Sequence, residues 1–174
     1  MENAKNKKVA ILVENLYEDQ ELWYPYYRLK EAGYEVKVVG PEKKTYYSKH
    51  QYPVAADFSI EEVRADDFVG VVIPGGYAPD HLRRYPKILG FVRKIFEKDG
   101  LVAAICHAAW VPISAGILNE KDATCFFAIK DDLINAGANY LDQEVVVDHH
   151  LVTSRTPNDL PAYLPAILKV LEEL

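Results

Sequence analysis

LVAAICHAAW, residues 101–110, is the stretch that decides the fold. Leu101 to Ile105 are apolar without alternation, as a strand covered on both faces requires. The chain then turns at Cys106 into a short helical segment, His107 to Ala115, with Gly116 as its stop and Pro112 as an oddity inside it. A cysteine at this junction sits at a helix N-terminus, where unpaired backbone N–H groups and the positive dipole end favour a thiolate. The same strand-turn-helix geometry presents the serine of α/β-hydrolases. The competing reading is an inert buried thiol.

The pattern repeats outward. Residues 8–13 (KVAILV), 35–39 (EVKVV) and 68–73 (FVGVVI) read as further strands. Residues 18–32 carry Leu22, Tyr26, Leu29 and Ala32 at helical spacing, with Gly33 as a stop. Pro25 inside that segment predicts a kink or a late start. Residues 41–56 are polar with scattered aromatics and read as a small hairpin or excursion. Ser59 with Glu62 forms a capping-box pattern. Residues 86–98 and 129–136 read as helices, the second ending at Gly137. Residues 144–147 and 151–153 read as strands of a hairpin around Asp148, His149 and His150. Asn158 or Asp159 is placed to cap a last helix running to the C-terminus. Strands alternating with helices give an α/β fold with a mostly parallel sheet and helices on both faces. No repeat, low-complexity tract or linker interrupts it, so residues 1–174 read as one domain.

Composition narrows the function classes. The 174 residues carry 20 basic and 26 acidic side chains, a net charge of −6. Without a basic stripe this argues against a nucleic-acid binder. The N-terminal MENAKNKK lacks the apolar stretch of a secretory signal, and no apolar run is long enough to span a bilayer. Two cysteines, Cys106 and Cys125, make no disulfide framework and suggest a reducing, cytoplasmic setting. No Cys/His spacing suggests a metal site, and no cofactor is expected.

Ligands of such sheets bind beyond the carboxyl ends of the strands. Three loops qualify: 14–19, 74–79 and Cys106-His107. His107 is placed to act as base or as a cation beside the thiol. One carboxylate of Glu14, Glu18, Asp19 and Glu21, kept protonated, could hydrogen-bond the sulfur. Gly75 and Gly76 could bring backbone N–H groups to an oxyanion, or form a plain turn. Asp80 begins the next helix as a cap candidate. Cys125 reads as a packing residue, and His149-His150 as a solvated turn. The tyrosines Tyr24, Tyr26, Tyr27, Tyr46 and Tyr47 fit a subunit interface or an aromatic-rich core.

The stretches NLYEDQELWYPYYRLKEAGYEV, VVIPGGYAPDHLR, VAAICHAAW, IKDDLINAGA and VVVDHHLVTSRTPNDLPAY together resemble the ThiJ/PfpI superfamily. The likeness is strongest to its PfpI-type branch of intracellular proteases, also described as protein deglycases. It runs from Lys8 to Leu171. It implies a flavodoxin-like doubly wound fold with Cys106 at a nucleophile elbow, Glu18 against the thiol, and His107 as the adjacent catalytic histidine. It implies Gly75 and Gly76 as oxyanion-hole glycines, and an acid reaching the histidine of a neighbouring subunit. Asp80 holds that last position, one methylene shorter than the usual glutamate. The resemblance further implies a homodimer or homohexamer.

Departures from the pattern are Ala108-Ala109 in place of Gly-Pro, an added methyl that could narrow the pocket. Trp110 could wall it, and Phe126 stands where a tyrosine is common. The function expected is a cysteine-dependent deglycase or glyoxalase acting on methylglyoxal or glycated protein, with peptidase activity ranked lower. The alternative is a redox sensor or stress chaperone using an oxidisable Cys106. A glutamine amidotransferase would need a His-Glu pair near the C-terminus, and His150 is followed by Leu151 and Val152 instead.

Overall fold

The computed structural model describes Ala4 and residues 7–174. Eleven strands and six helices follow in chain order among these residues. They begin β1 (Lys8–Leu12), α1 (Asp19–Glu31), β2 (Glu35–Gly40), β3 (Thr45–Tyr47), β4 (Pro53–Ala55), β5 (Phe58–Ser59) and β6 (Gly70–Ile73). Next come α2 (Ala78–Leu82), α3 (Pro86–Glu97), β7 (Leu101–Ile105), α4 (Trp110–Ala115), β8 (Asp122–Ala123), α5 (Lys130–Asn135) and β9 (Asn139–Tyr140). The chain ends with β10 (Val145–Asp148), β11 (Leu151–Ser154) and α6 (Leu160–Glu173).

Seven strands form one sheet in the order β10-β11-β7-β6-β1-β2-β5. All neighbours are parallel except β10 and β11, which form the antiparallel hairpin. Alternate residues of each strand feed opposite cores. Ala10, Leu12, Val102 and Ala104 pack on one side with Ile88, Phe91, Val92 and Ile95 of α3. Val9, Ile11, Ala103 and Ile105 pack on the other with Leu22 and Leu29 of α1 and Tyr163, Leu164 and Ile167 of α6. Each such valine, leucine, isoleucine or phenylalanine side chain contributes about 2 kcal/mol on leaving water. The result is a flavodoxin-like α/β fold.

Helix α1 forms because Leu22, Pro25 and Leu29 share a buried face, with acids in its first turn and Arg28 and Lys30 in its last. It runs through Pro25 without a break, so the expected late start does not occur. Packing of the buried face outweighs the one backbone bond that proline cannot donate. Pro112 is tolerated for a different reason. It sits in the first turn of α4, where N–H groups lack intrahelical partners. The segment from Cys106 to Ala109 is a 3-10 turn rather than α-helix.

Two cap expectations change. Ser59 and Glu62 do bond reciprocally, but they open only a single 3-10 turn at Ile60–Glu62. Asp159 sits at the start of α6, yet its carboxylate accepts from Arg155 at 3.0 and 3.2 Å instead of capping the helix. A guanidinium four residues back is the stronger donor. The excursion at 41–56 is a hairpin, with Tyr46 opposite Val54.

Candidate active site

Strands β1, β6 and β7 are adjacent, so the loops after them meet at one sheet edge. Backbone bonds lock them together. Glu18 N–H donates to the Gly75 carbonyl at 3.2 Å and Tyr77 N–H to the Leu16 carbonyl at 2.9 Å. Leu16 N–H donates to Tyr47 of the hairpin, and Lys49 N–H to Tyr17. Main-chain bonds therefore join three segments far apart in sequence, 16–18, 47–49 and 75–77, beside the Cys106 turn.

Cys106 adopts φ 62°, a left-handed conformation that costs a non-glycine residue about 1 kcal/mol or more. That turn lifts the side chain off the strand, and the thiol is left half-buried. Its Sγ lies 3.3 Å from Nδ1 of His107. The backbone N–H groups of His107 and Gly76 also face the sulfur and favour its ionised form. Burial works against them, followed by the Glu21 carboxylate, and the thiol is pushed up to about 12.

Glu21 is the carboxylate at the thiol. It is fully buried, its Oε2 accepts from Gly75 N–H at 2.7 Å, and its carboxyl hydrogen-bonds Cys106. Its other oxygen, Oε1, has no partner among the described residues. Burial lifts this carboxyl to about 8, against the lowering effect of the Gly75 N–H. Glu21 and Cys106 thus share protons as one coupled pair. The packing leaves no room for a side chain at position 75. A Cβ there would stand 2.5 Å from Glu21 Oε2 and 2.8 Å from Cys106 Cβ. Gly76 has φ 76°, and a Cβ there would meet the Leu16 carbonyl at 2.4 Å.

Around this pair lie His107 and Lys49. Burial and then the Lys49 charge hold the His107 pKa down, so its imidazole is neutral at neutral pH. The His107 ring packs 4.7 Å from Phe126 and 5.2 Å from Trp110. Lys49 Nζ sits 2.5 Å from Glu18 Oε2.

A strand-elbow thiol with a buried carboxyl and an adjacent histidine has known relatives, and residues 7–170 match the DJ-1/PfpI family. The chain belongs to the DJ-1/PfpI family. Deglycase PfpI of Pyrococcus furiosus is 44% identical over 165 residues, covering 95% of this chain and 99% of that protein. A Bacillus subtilis protein provisionally named as the cysteine protease YraA is 44% identical over 168 residues, 96% of this chain and 99% of its own length. Among solved structures, an Anabaena variabilis protein with DJ-1/ThiJ/PfpI-like and ferritin-like domains aligns at TM-score 0.92 and 47% identity. That match covers 95% of this chain and 48% of the two-domain protein, so this chain spans about half of it. DJ-1beta of Drosophila melanogaster aligns at TM-score 0.87 and 28% identity, over 97% of this chain and 90% of its own.

Within this DJ-1/PfpI site some expected residues sit elsewhere. Glu18 is bonded to Lys49, and Glu21 takes the place expected for it beside the sulfur. Glu18 is the extended residue just before α1, so its side chain is not carried on the helix's buried face, whereas Glu21 lies on that face with Leu22, Pro25 and Leu29. The signal for Glu21 was available: it directly precedes Leu22 and lies four residues before buried Pro25. The two glycines divide their work. The Gly75 N–H is committed to Glu21, and the Gly76 N–H is the one aimed at sulfur. Asp80 lies within α2, not at its cap, and is ion-paired with exposed Arg84. Among the described residues no carboxylate is hydrogen-bonded to His107.

The remaining expectations sort by packing. Ala108 and Ala109 are buried in the core with α3, so their methyls do not line the site. Trp110 does flank His107, held by Nε1 donating to Asp132 at 2.8 Å and by Arg83 over its ring. Cys125 is buried. His149 is exposed at the hairpin turn, but His150 packs its ring 4.7 Å from Phe96 and is mostly buried. A groove of about 480 Å³ lies between residues 60–66 and α3, where it holds no nucleophile. Among the described residues Glu18, Asp19 and His50 could gather around a metal ion, their donor atoms lying within 4.8 Å of one another. The Lys49 ammonium already fills the Glu18 side of that cluster.

Proposed function

We infer that this chain is a cysteine-dependent enzyme acting on dicarbonyls, with methylglyoxal or its early protein adducts as substrates. The observation that carries the reading is the half-buried Cys106 thiol at φ 62°, between the Glu21 carboxyl and His107 Nδ1. Relatives named deglycase support it, and a relative provisionally named cysteine protease supports a broader hydrolase class.

The chemistry runs as follows. The thiol loses its proton to neutral His107, and the sulfur bonds to the aldehyde carbon of methylglyoxal. The carbonyl electron pair moves to oxygen, where the N–H groups of Gly76 and His107 stabilise it. The hydrogen of that carbon then moves to the neighbouring carbon as a proton, relayed by the Glu21–His107 set, leaving a lactoyl thioester on Cys106. Water cleaves the thioester, releasing lactate and restoring the thiol, so the sum is methylglyoxal plus water to lactate. With a hemiaminal adduct on a protein amine, the sulfur displaces the amine, which leaves with the proton taken by His107; water again cleaves the thioester, so adduct plus water gives lactate plus free amine. No cofactor enters this balance.

A redox-sensor reading has less support. A thiolate that attacks peroxide becomes a sulfenic acid without turnover, whereas the relatives that this chain resembles are named for turnover, as deglycase and as cysteine protease. A small, closely walled thiol also suits small carbonyls better than peptide chains. We place the protein in the cytosol, where two free thiols persist, as a homodimer or homohexamer. Assembly is part of the proposal because among the described residues His107 has no carboxylate hydrogen-bonded to it, and Asp80 is exposed enough to reach a neighbour.

The test is methylglyoxal consumption with D- and L-lactate assayed, alongside release of free amine from a freshly glycated peptide. Many turnovers that need Cys106 support the reading. No product from either substrate, with the thiol intact, contradicts it.

A further inference from the structure

The hairpin β3–β4 reaches over the site and ends in a turn, residues 48–52, held unusually firmly. Ser48 is buried, and its Oγ accepts from the N–H groups of His50 and Tyr52, both at 3.0 Å. Ser48 N–H donates back to the Tyr52 carbonyl at 2.9 Å. Tyr17 from the loop after β1 donates its hydroxyl to Tyr52 at 2.7 Å, and accepts from Lys49 N–H at its carbonyl. His50 Nδ1 lies 2.6 Å from Asp19 Oδ2 at the start of α1. Asp19 is held ionised, because hydrogen bonds from Ser48 and His50 overcome its partial burial. This scaffold fixes the backbone of Lys49 against the very helix that carries Glu21.

Lys49 extends from that turn to Glu18, close enough to the Glu21–Cys106 pair for their charges to interact. Its ammonium is bonded to Glu18 at 2.5 Å and its side chain is 39% exposed. Its charge is felt by Glu21, Cys106 and His107 together. When the Glu21–Cys106 pair loses one proton, it holds one negative charge in a mostly dry site. Glu18, just before α1, opposes that charge. His107 is neutral, and Tyr163 on α6 is a buried, un-ionised hydroxyl. Lys49 is the cation that reaches the whole group.

We propose that Lys49 is a positioning residue for the nucleophile, supplying the countercharge for the anion held by Glu21 and Cys106, and that Glu18 attenuates it. The proposal rests on Cys106 being the reacting group, but not on which substrate it meets. It makes Lys49 and Glu18 an opposed pair. Removing the cation makes the anion harder to form, and removing Glu18 both frees the cation and takes away a like charge. A turn that served only to brace the hairpin would give no such opposition of sign.

The test is the rate of Cys106 alkylation by iodoacetamide against pH, read by peptide mass. In this reaction sulfur bonds to the methylene carbon and iodide leaves, so no substrate turnover is involved. Failure here is therefore distinct from failure of the dicarbonyl reading. Lys49→Met is expected to slow alkylation about fivefold near neutral pH and move the rate profile to higher pH. Glu18→Gln is expected to speed it about threefold and move the profile to lower pH, a modest effect because the pair is partly solvated. Lys49→Arg should restore most of the wild-type profile. Wild-type profiles in both Lys49→Met and Glu18→Gln, or shifts of the same sign, overturn the proposal. Should Lys49→Met fail to fold, Glu18→Gln decides the sign by itself, since an unchanged or slowed rate is sufficient to reject it.

Discussion

Cys106 and Cys125 stand nineteen positions apart in sequence and share one property: burial pushes both thiols up to about 12. Everything else around them differs. Cys125 is 1% exposed and sits in the core beside α4 and α5, with only the distant charge of Asp132 added to its burial. Cys106 is at a left-handed turn and half-open to solvent. It has a buried carboxyl to share protons with, a neutral histidine at 3.3 Å, two backbone N–H groups and a nearby lysine. The comparison teaches that a high resting pKa does not separate an inert thiol from a reactive one. What separates them is whether the surroundings can take the proton and hold the charge.

The sharpest way to break the comparison is to remove each thiol in turn. Cys106→Ala should lower lactate formation from methylglyoxal by about a thousandfold or more, because the bond-forming atom is gone. A variant that retains wild-type turnover would end the nucleophile reading. Next in size is Gly75→Ala, which forces a methyl between Glu21 and Cys106. It should cost about 3 kcal/mol in denaturant unfolding and reduce turnover as well.

Glu21→Gln sharpens the comparison through pH. The Glu21 carboxyl is raised on folding, so its contribution to stability is fully present below the usual carboxylate range. It is lost as pH rises toward about 8, because the unfolded chain has already released that proton. The glutamine variant stays neutral and still accepts from Gly75 N–H. Its melting temperature should exceed wild type at mildly alkaline pH, by the equivalent of about 2 kcal/mol, and the gain should vanish in acid. A constant difference across pH would mean Glu21 is not titrating in the folded protein. The smallest effect belongs to Cys125→Ala. It should cost about 1 kcal/mol of stability for the small void and leave turnover at the wild-type level.

Most of the scaffold was legible because it is local. Residues 101–105 form β7 as read from their apolar run, and Gly33, Gly116 and Gly137 all adopt positive φ where helices stop. Strand alternation placed the loops after β1, β6 and β7 at the carboxyl ends of a parallel sheet, and the strand order β7-β6-β1 brings them together. The site was legible only where the chain is contiguous, at Cys106-His107 and Gly75-Gly76. Glu21 could have been chosen over Glu18 from its spacing to Leu22, Pro25 and Leu29 on the apolar face of α1, but the start of that helix, which leaves Glu18 outside it, is not fixed by a run of acids at 18–21. Lys49 and Phe126 reach the site through a hairpin turn and a core loop, and their approach is set by main-chain bonds to Tyr17 and Cys106. Nothing in the residues around position 49 announces that contact.

The most direct measurement is to label both thiols in one native sample with iodoacetamide and follow each by peptide mass as pH is raised. The account predicts that Cys106 is alkylated in the folded protein, faster at higher pH, while Cys125 reacts only after unfolding. Equal rates for the two, or earlier labelling of Cys125, would contradict it.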